Sequence, residues 1–286
     1  MKTIKYFLEF IFIGILFIIF KIIGYRLASN FGALIGGLVG PIFRSNKKIS
    51  SNIKKALPKI KEKEIHLIIK DMWANYGRIL ADYMSIKNFR TSKLNSYLKV
   101  EGYEIFEEIK KKNEQVVFIS GHFNNFELMA MEIEKSGINV AAIYRPLNNI
   151  FLNKIMEKIR KKYICRHQIK KGMSGAREII KLYRHGFSMA LMIDQRVREG
   201  IKLNFFSEPA STTTIPAQLV KKFDCKIVPI YIERIDKFYY KMKINRPLNF
   251  NKDQSIENIS AILNAELEKM VLKRPSQWIW SHDRWK

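Results

Sequence analysis

Ser120-Gly121-His122-Phe123-Asn124-Asn125-Phe126-Glu127 is the stretch on which the reading of this chain turns. Immediately before it, Gln115-Val116-Val117-Phe118-Ile119 is short, apolar and β-branched, as a buried strand is. Immediately after it, Phe126, Met129, Ala130 and Ile133 recur at helical spacing, so a helix is expected from Asn124 or Asn125, either of which can cap it. His122 then lies at the carboxyl end of a strand and Glu127 in the first turn of the next helix. Open α/β sheets place their chemistry at that edge. On one continuous helix a five-residue offset would separate the two side chains by about 140°. A strand-to-helix turn can instead fold the carboxylate back onto the imidazole. That pair would make a general base, with the carboxylate fixing the tautomer and stabilising the imidazolium. The alternative is a structural histidine at a turn and a glutamate favoured by the helix dipole.

Outward from this turn the chain alternates between the two periodicities. Strands are expected at 97–100, 115–120, 139–143, 187–193 and 226–231. Helices are expected at 103–112, 125–135, 150–162, 174–184 and 214–223. This alternation predicts an α/β fold with a mostly parallel central sheet covered by helices. A late strand at 238–244 reads as antiparallel, and 256–273 as the last long helix. Residues 47–85 are helical in pattern, with an apolar stripe that includes Ile65, Ile69, Met72, Trp73 and Tyr76. The tail from Gln277 to Lys286 holds three of the four tryptophans, a density expected of a segment docked on the body.

The N-terminus has a different character. Residues 11–20 are uninterruptedly apolar, and 7–24 are broken only by Glu9 and Lys21, charges that can snorkel. A second uncharged, glycine-rich run covers 31–43. One membrane anchor helix is expected, with the second run in or under the interface or packed on the domain. That divides the chain into an anchor and interfacial segment, 1–43, and a catalytic domain, 44–286. No small-x-small cleavage site follows the apolar core, so a retained anchor is favoured over a signal peptide. Basic residues concentrate after the anchor, which predicts a cytoplasmic location for the domain.

The 286 residues carry 51 Lys+Arg against 26 Asp+Glu, a net charge of +25 that calls for an anionic partner. Apolar residues at 47% and aromatics at 12% exclude a disordered chain. Cys165 and Cys225 stand far apart, without the spacing of a zinc site or a disulfide framework. His66, His167, His185 and His282 lack partners at ligand spacing, so no metal is expected.

Three further segments fall on or at the ends of expected strands: Tyr144-Arg145-Pro146, Asp194-Gln195-Arg196 and Val228-Pro229-Ile230. Arg145 could hold a phosphate bidentately or make a surface ion pair. Asp194 could serve the site or cap a turn. Taken in order, Gly-His-x4-Glu, Tyr-Arg-Pro with Asn148-Asn149, Asp-Gln-Arg, Asn204-Phe205-Phe206 with Pro209-Ala210, and Val-Pro-Ile resemble a glycerolipid-type acyltransferase. With the tail Trp278-Ile279-Trp280-Ser281-His282-x-Arg284-Trp285, the chain resembles the bacterial lipid A biosynthesis acyltransferases, the lauroyl and myristoyl transferases. It departs from the family where a glycine-tryptophan is usual, having Asn124-Asn125-Phe126 there. It also lacks an obvious glycine-rich turn after Asp194.

The resemblance implies that His122 takes the proton from a lipid hydroxyl, with Glu127 orienting it, and that the oxygen attacks an acyl thioester. It further implies that Arg145 binds acceptor phosphate, that Asp194 buttresses the site, and that Asn125, Gln195 and Arg196 belong to the substrate-binding set. Backbone N–H groups near Asn124 and Asn125 are candidate oxyanion donors. The implied partners are acyl carrier protein as donor of the acyl chain, a lipid A precursor as acceptor, and the bacterial inner membrane, with no cofactor and no nucleic acid. The basic stretch 154–171 is a candidate docking surface for the acidic carrier. Two rival readings are an acyltransferase for another glycolipid or lysophospholipid, and a membrane-anchored basic binding protein that would not need His122.

Overall fold

Strands buried on both faces read as continuous apolar runs rather than alternating ones, and the central strands here are of that kind. The structure, a computed structural model, describes residues 2–286. In β2 (Val117–Ser120) every side chain is buried. It lies between β5 (Ser188–Met192) and β8 (Ile227–Arg234), parallel to both. Beyond β5 come β3 (Val140–Tyr144) and the edge strand β4 (His167–Lys170), also parallel. Beyond β8 lie β9 (Tyr240–Ile244), antiparallel to it, and β1 (Leu98–Glu101), parallel to β9. The seven-stranded order is β1-β9-β8-β2-β5-β3-β4. It is a mostly parallel α/β sheet, as the alternation of strands and helices predicts.

The crossover helices are α5 (Tyr103–Lys111), α6 (Glu127–Lys135), α7 (Ile150–Ile159), α8 (Met173–Arg184) and α9 (Ile215–Phe223). The last long helix, α10 (Ile256–Lys273), begins at Ser255, whose hydroxyl accepts from the Asn258 N–H as an N-cap. Two elements depart from the sequence expectation. The edge strand β4 is one. The other is an antiparallel hairpin, β6 (Ile201–Phe205) and β7 (Glu208–Thr212), joined by Phe206-Ser207 with φ of 53° and 63°. Positive φ at both central residues matches the twist of a two-residue hairpin turn.

The tail docks as its tryptophan content predicts. Trp278, Trp280 and Arg284 are fully buried. Trp285 donates to the Phe205 carbonyl at 3.0 Å, and Arg284 donates to Ser211 O and Thr212 Oγ1. Asn52, on α2 (Asn46–Ala56), donates to the carbonyls of Trp280 and His282 at 2.9 and 3.2 Å.

The N-terminal helix α1 (Lys2–Phe43) is interrupted at Gly24, whose φ of 76° and ψ of 170° divide it into two halves. Only glycine adopts that backbone without strain. The glycine-rich second half packs on α3 (Glu62–Asp82). A Cβ added at Gly77 would strike the Gly32 carbonyl, and one added at Gly36 would strike the Trp73 carbonyl. The two backbones therefore touch, which no side chain permits. The short α4 (Ile86–Arg90) follows, with Phe89 in the core.

Gly77→Val should cost about 1–3 kcal/mol through overpacking. For a chain of this size that lowers Tm by several degrees. Gly37 faces open space, so Gly37→Ala should leave Tm unchanged or raise it slightly by removing helical glycine entropy. Thermal unfolding of the two variants checks the asymmetry.

Candidate active site

Ser120 pairs with Met192 across β2 and β5, and the Ile193 N–H extends the ladder to the Ser120 carbonyl at 2.9 Å. The two chains leave the sheet side by side, so His122 and Asp194, 72 residues apart in sequence, meet. His122 Nδ1 lies 2.7 Å from Asp194 Oδ1, and the His122 backbone N–H donates to Oδ2, also at 2.7 Å. Trp278 Nε1–H donates to Oδ2 at 2.9 Å. Burial works against ionisation of Asp194, which is fully enclosed. The interaction with the His122 ring and these N–H donors outweigh it and hold the carboxyl below its usual range. An ionised carboxylate only accepts, so Nδ1 carries the ring proton and Nε2 is left with its lone pair. The Gln195 amide stands 3.5 Å from that Nε2, and the edge of Phe126 packs on the ring.

Glu127 is elsewhere. The expectation that it orients His122 is corrected by a separate buried cluster, in which Arg160 donates from Nε and Nη2 to Glu127 Oε1 at 2.8 and 2.6 Å. The Tyr83 hydroxyl donates to the same oxygen. Burial opposes the charge of Arg160, but the Glu127 carboxylate outweighs it and raises the guanidinium above its usual value. Burial, then the charge of Glu127, pushes the Tyr83 phenol well up, so it remains a neutral donor. Arg160 opens a π-helical turn, Arg160–Ile164, that ends α7, and its guanidinium lies 5.6 Å from the centre of the Tyr144 ring. Glu127 and Arg160 form part of the wall of the cavity onto which His122 also faces.

The helix does not start at Asn124 or Asn125. Asn124 is in the left-handed region at φ 42°, its side chain accepts from the Asn125 N–H, and α6 begins at Glu127 without a side-chain cap. Asn125, expected in the substrate set, is buried, and its amide donates to Asp82 Oδ2 at 3.3 Å. Asp82 is otherwise held by Arg234 at 2.8 Å and by the Tyr240 hydroxyl. Asn125 thus braces the turn from behind. Arg196 borders the cavity, but its guanidinium donates to the Lys286 carbonyl at 2.9 Å and its backbone N–H to His282 Nε2 at 3.1 Å. Arg145 stands exposed at the rim with Lys171 nearby, and neither makes an ion pair among the described residues. Sequence reasoning did not single out Trp278 as the third donor to Asp194, nor Arg160 and Tyr83 as partners of Glu127.

The cavity has a volume of about 490 Å³. Much of its wall is apolar, with Met129, Ala130 and Ile133 from α6, Ala142 from β3, and Ile164. A histidine with one nitrogen tied to a carboxylate and the other met only by a long 3.5 Å contact from the Gln195 amide, on the wall of a hydrocarbon-lined space, can deprotonate a hydroxyl next to a bound alkyl chain. Acyl transfer to a hydroxyl is a chemistry that such a site on an α/β sheet can perform. Comparison with known proteins specifies the family. The family profile described as bacterial lipid A biosynthesis acyltransferase matches residues 1–286, and the chain belongs to that family. The chain is 22% identical over 252 residues to the lipid A biosynthesis myristoyltransferase of Escherichia coli K12, covering 87% of this chain and 77% of that one. It is 23% identical over 291 residues to the lauroyltransferase of the same strain, and 20% identical over 288 residues to its palmitoleoyltransferase. Those two alignments each cover 99% of this chain and 92% of the relative. The relatives of this chain are named acyltransferases, and it is accordingly an acyltransferase.

His282 supplies a pH test of the packing behind the site. Burial lowers its pKa from 6.5 to about 4, and in its neutral form it accepts the Arg196 N–H. Between those two values the unfolded chain binds a proton that the folded chain does not, so stability rises with pH across that window and is lost on acidification. His282→Gln keeps an acceptor for Arg196 without titrating. Its Tm should fall less steeply than that of the parent between pH 6.5 and 4, as thermal melts at stepped pH would record.

Proposed function

We propose that the protein moves a fatty acyl chain from the thioester of acyl carrier protein to a hydroxyl of a lipid A precursor, with His122 as general base and Asp194 as the group that orients it. The observation that carries this reading is the His122–Asp194 pair on the wall of the apolar cavity, with only the Gln195 amide, at 3.5 Å, near Nε2. The acceptor hydroxyl gives its proton to Nε2 as its oxygen attacks the thioester carbonyl. The C–S bond then breaks, and the departing sulfur takes the proton back from the imidazolium. Asp194 stabilises that imidazolium while remaining ionised, and Trp278 and the His122 backbone N–H keep its second oxygen occupied.

The acyl chain lies along Met129, Ala130, Ile133 and Ile164. Arg145 and Lys171, cationic and without ion-pair partners, are suited to the phosphate of the acceptor. Glu127 acts through Arg160, keeping a desolvated guanidinium charged in the cavity wall. The exposed basic residues Lys154, Lys158, Lys161, Lys162, Arg166 and Lys170 are suited to an acidic carrier; Arg160, in the same stretch, is buried in its own ion pair. The apolar N-terminal helix, long enough to cross a bilayer by length and composition, holds the enzyme at the membrane, with the catalytic domain on the cytoplasmic side of the bacterial inner membrane.

Two experiments test this account. Loss of a general base costs about 10²–10⁴-fold, so His122→Ala should lower kcat by that order in a protein that stays folded, with Tm reduced by the one hydrogen bond the buried Asp194 loses. Asp194→Asn, which permits the wrong tautomer, should fall in the same range. Glu127→Ala should cost more stability, since leaving the buried Arg160 guanidinium without its carboxylate costs about 3–5 kcal/mol. Near-parental turnover by folded His122→Ala would overturn the mechanism. The second experiment offers purified enzyme matched acyl-carrier and acyl-coenzyme A donors, with a lipid A precursor or a lysophospholipid as acceptor, and reads the products by mass spectrometry. Carrier-dependent acylation of the lipid A precursor is expected. Reversing Lys158, Lys161 and Lys162 to Glu should raise KM for the carrier donor alone.

A further inference from the structure

The first half of α1, residues 2–23, touches the domain at both of its ends. Near Gly24, Tyr25 donates to the Phe238 carbonyl at 2.7 Å and packs against Phe89 and Tyr97. At the other end, Asn149 Nδ2, at the start of α7, donates to the Tyr6 carbonyl at 2.8 Å and to Glu9 Oε2 at 3.2 Å. Phe7 and Phe10 pack on the Phe151 ring, with centroids 5.7 and 5.8 Å apart. Between these ends Leu16, Phe17 and Phe20 are buried against Ala81 and its neighbours. The opposite face, Ile4, Leu8, Ile11, Ile15, Ile18 and Ile22, is exposed and wholly apolar. At 1.5 Å per residue the segment is about 33 Å long, and Glu9 lies roughly 22 Å from Gly24.

A helix of this length standing across a hydrocarbon core of about 30 Å would put Glu9 and Tyr6 in the far half of the bilayer. Asn149 is tied to both, and it follows directly on the cavity rim at Arg145, Leu147 and Asn148. A spanning helix would have to break these contacts or draw the rim of the cavity into the membrane. A carboxylate in such a helix is costly unless well partnered; Glu9 has Lys5 of its own helix at 3.9 Å and the shorter contact from Asn149 of the domain, and a spanning helix would keep only the first.

We infer that residues 2–23 lie in the plane of the bilayer, half-sunk in a single leaflet, and that Asn149 docks this helix to the cavity rim through Glu9 and the Tyr6 carbonyl. This inference rests on the membrane role proposed above and concerns the orientation of the anchor. The occupant of the exposed face is a lipid leaflet containing anionic headgroups. Leu147 at the rim, Ile150 at the start of α7, and Leu27, Leu34, Leu38 and Ile42 beyond the Gly24 break of α1 are exposed apolar residues as well. Lys2, Lys5, Lys21 and Arg26 stand exposed along the same helix, where anionic headgroups complement them. The mouth of the cavity then opens at the depth at which a lipid acceptor travels, and the acceptor enters sideways from the leaflet.

The test uses the full chain in membrane vesicles of one orientation prepared from expressing cells, with its two native cysteines, both buried, as background. Glu9→Cys combined with Asn149→Cys should be bridged within one chain by a short bifunctional thiol reagent. Thr3→Cys and Lys47→Cys, both at exposed positions, should be labelled by a membrane-impermeant maleimide from the same side. Failure to bridge, with Thr3→Cys labelled only from the side opposite Lys47→Cys, would establish a spanning helix and overturn the inference. Bridged product at twice the chain mass would show that Glu9 meets Asn149 of a second copy and overturn the docking within one chain. Flotation of the same variants with phosphatidylethanolamine–phosphatidylglycerol vesicles separates the two levels. Efficient bridging in a protein that does not float would refute membrane anchoring itself, and the leaflet with it.

Discussion

The site depends on one buried carboxylate. Asp194 has no contact with solvent, yet it is kept ionised by the His122 ring, the His122 backbone N–H and the indole of Trp278. Charge-assisted hydrogen bonds of this kind are each worth about 1.5–3 kcal/mol, and leaving the charge without them would cost more. The arrangement constrains the whole architecture. β2 and β5 must be neighbours for His122 and Asp194 to meet, and the tail must fold back for Trp278 to reach them. The tail is fastened in turn by Asn52 on α2 and by Arg284 against the β6–β7 hairpin. Elements from both ends of the chain therefore converge on a single pair of oxygens.

A second buried charge cluster works beside the first and independently of it. Glu127, Arg160 and Tyr83 join the start of α6, the end of α7 and the residue that follows α3. The π-helical turn that carries Arg160 widens the helix where its side chain must turn inward, the kind of irregularity that collects at functional sites. A third cluster, Asp82 with Arg234, Tyr240 and Asn125, lies behind the His122 turn. The three together explain how a turn with no glycine-tryptophan keeps its shape: Asn124 takes the left-handed backbone and Asn125 is bolted to the core.

Much of this was legible in the sequence. The apolar run into Gly121-His122 marked the strand and its carboxyl edge, the alternation of periods marked the parallel sheet, and the tryptophans marked a docked tail. What stayed hidden has physical reasons. Local spacing suggested Glu127 as the partner of His122, because it is the nearest carboxylate along the chain; the true partner is fixed by strand order, which spacing does not encode. From the sequence, Asp194 reads as a group that serves or buttresses the site or caps a turn, and nothing local ties it to the His122 ring. The edge strand β4 alternates too weakly to register, with one buried residue in four. The β6–β7 hairpin turns on Phe206-Ser207, without the Asn-Gly or Asp-Gly signal that such turns usually carry. Asn125 enters the substrate set through the family resemblance alone, whereas here its amide is needed inside.

The most direct test of the central claim is the ¹⁵N-resolved NMR spectrum of the His122 ring, recorded in the parent and in Asp194→Asn and Glu127→Gln proteins. The account predicts a neutral ring protonated at Nδ1, with a strongly downfield Nδ1 proton that disappears in Asp194→Asn and persists in Glu127→Gln. A ring protonated at Nε2, or a downfield proton that is lost with Glu127 and kept without Asp194, would contradict it.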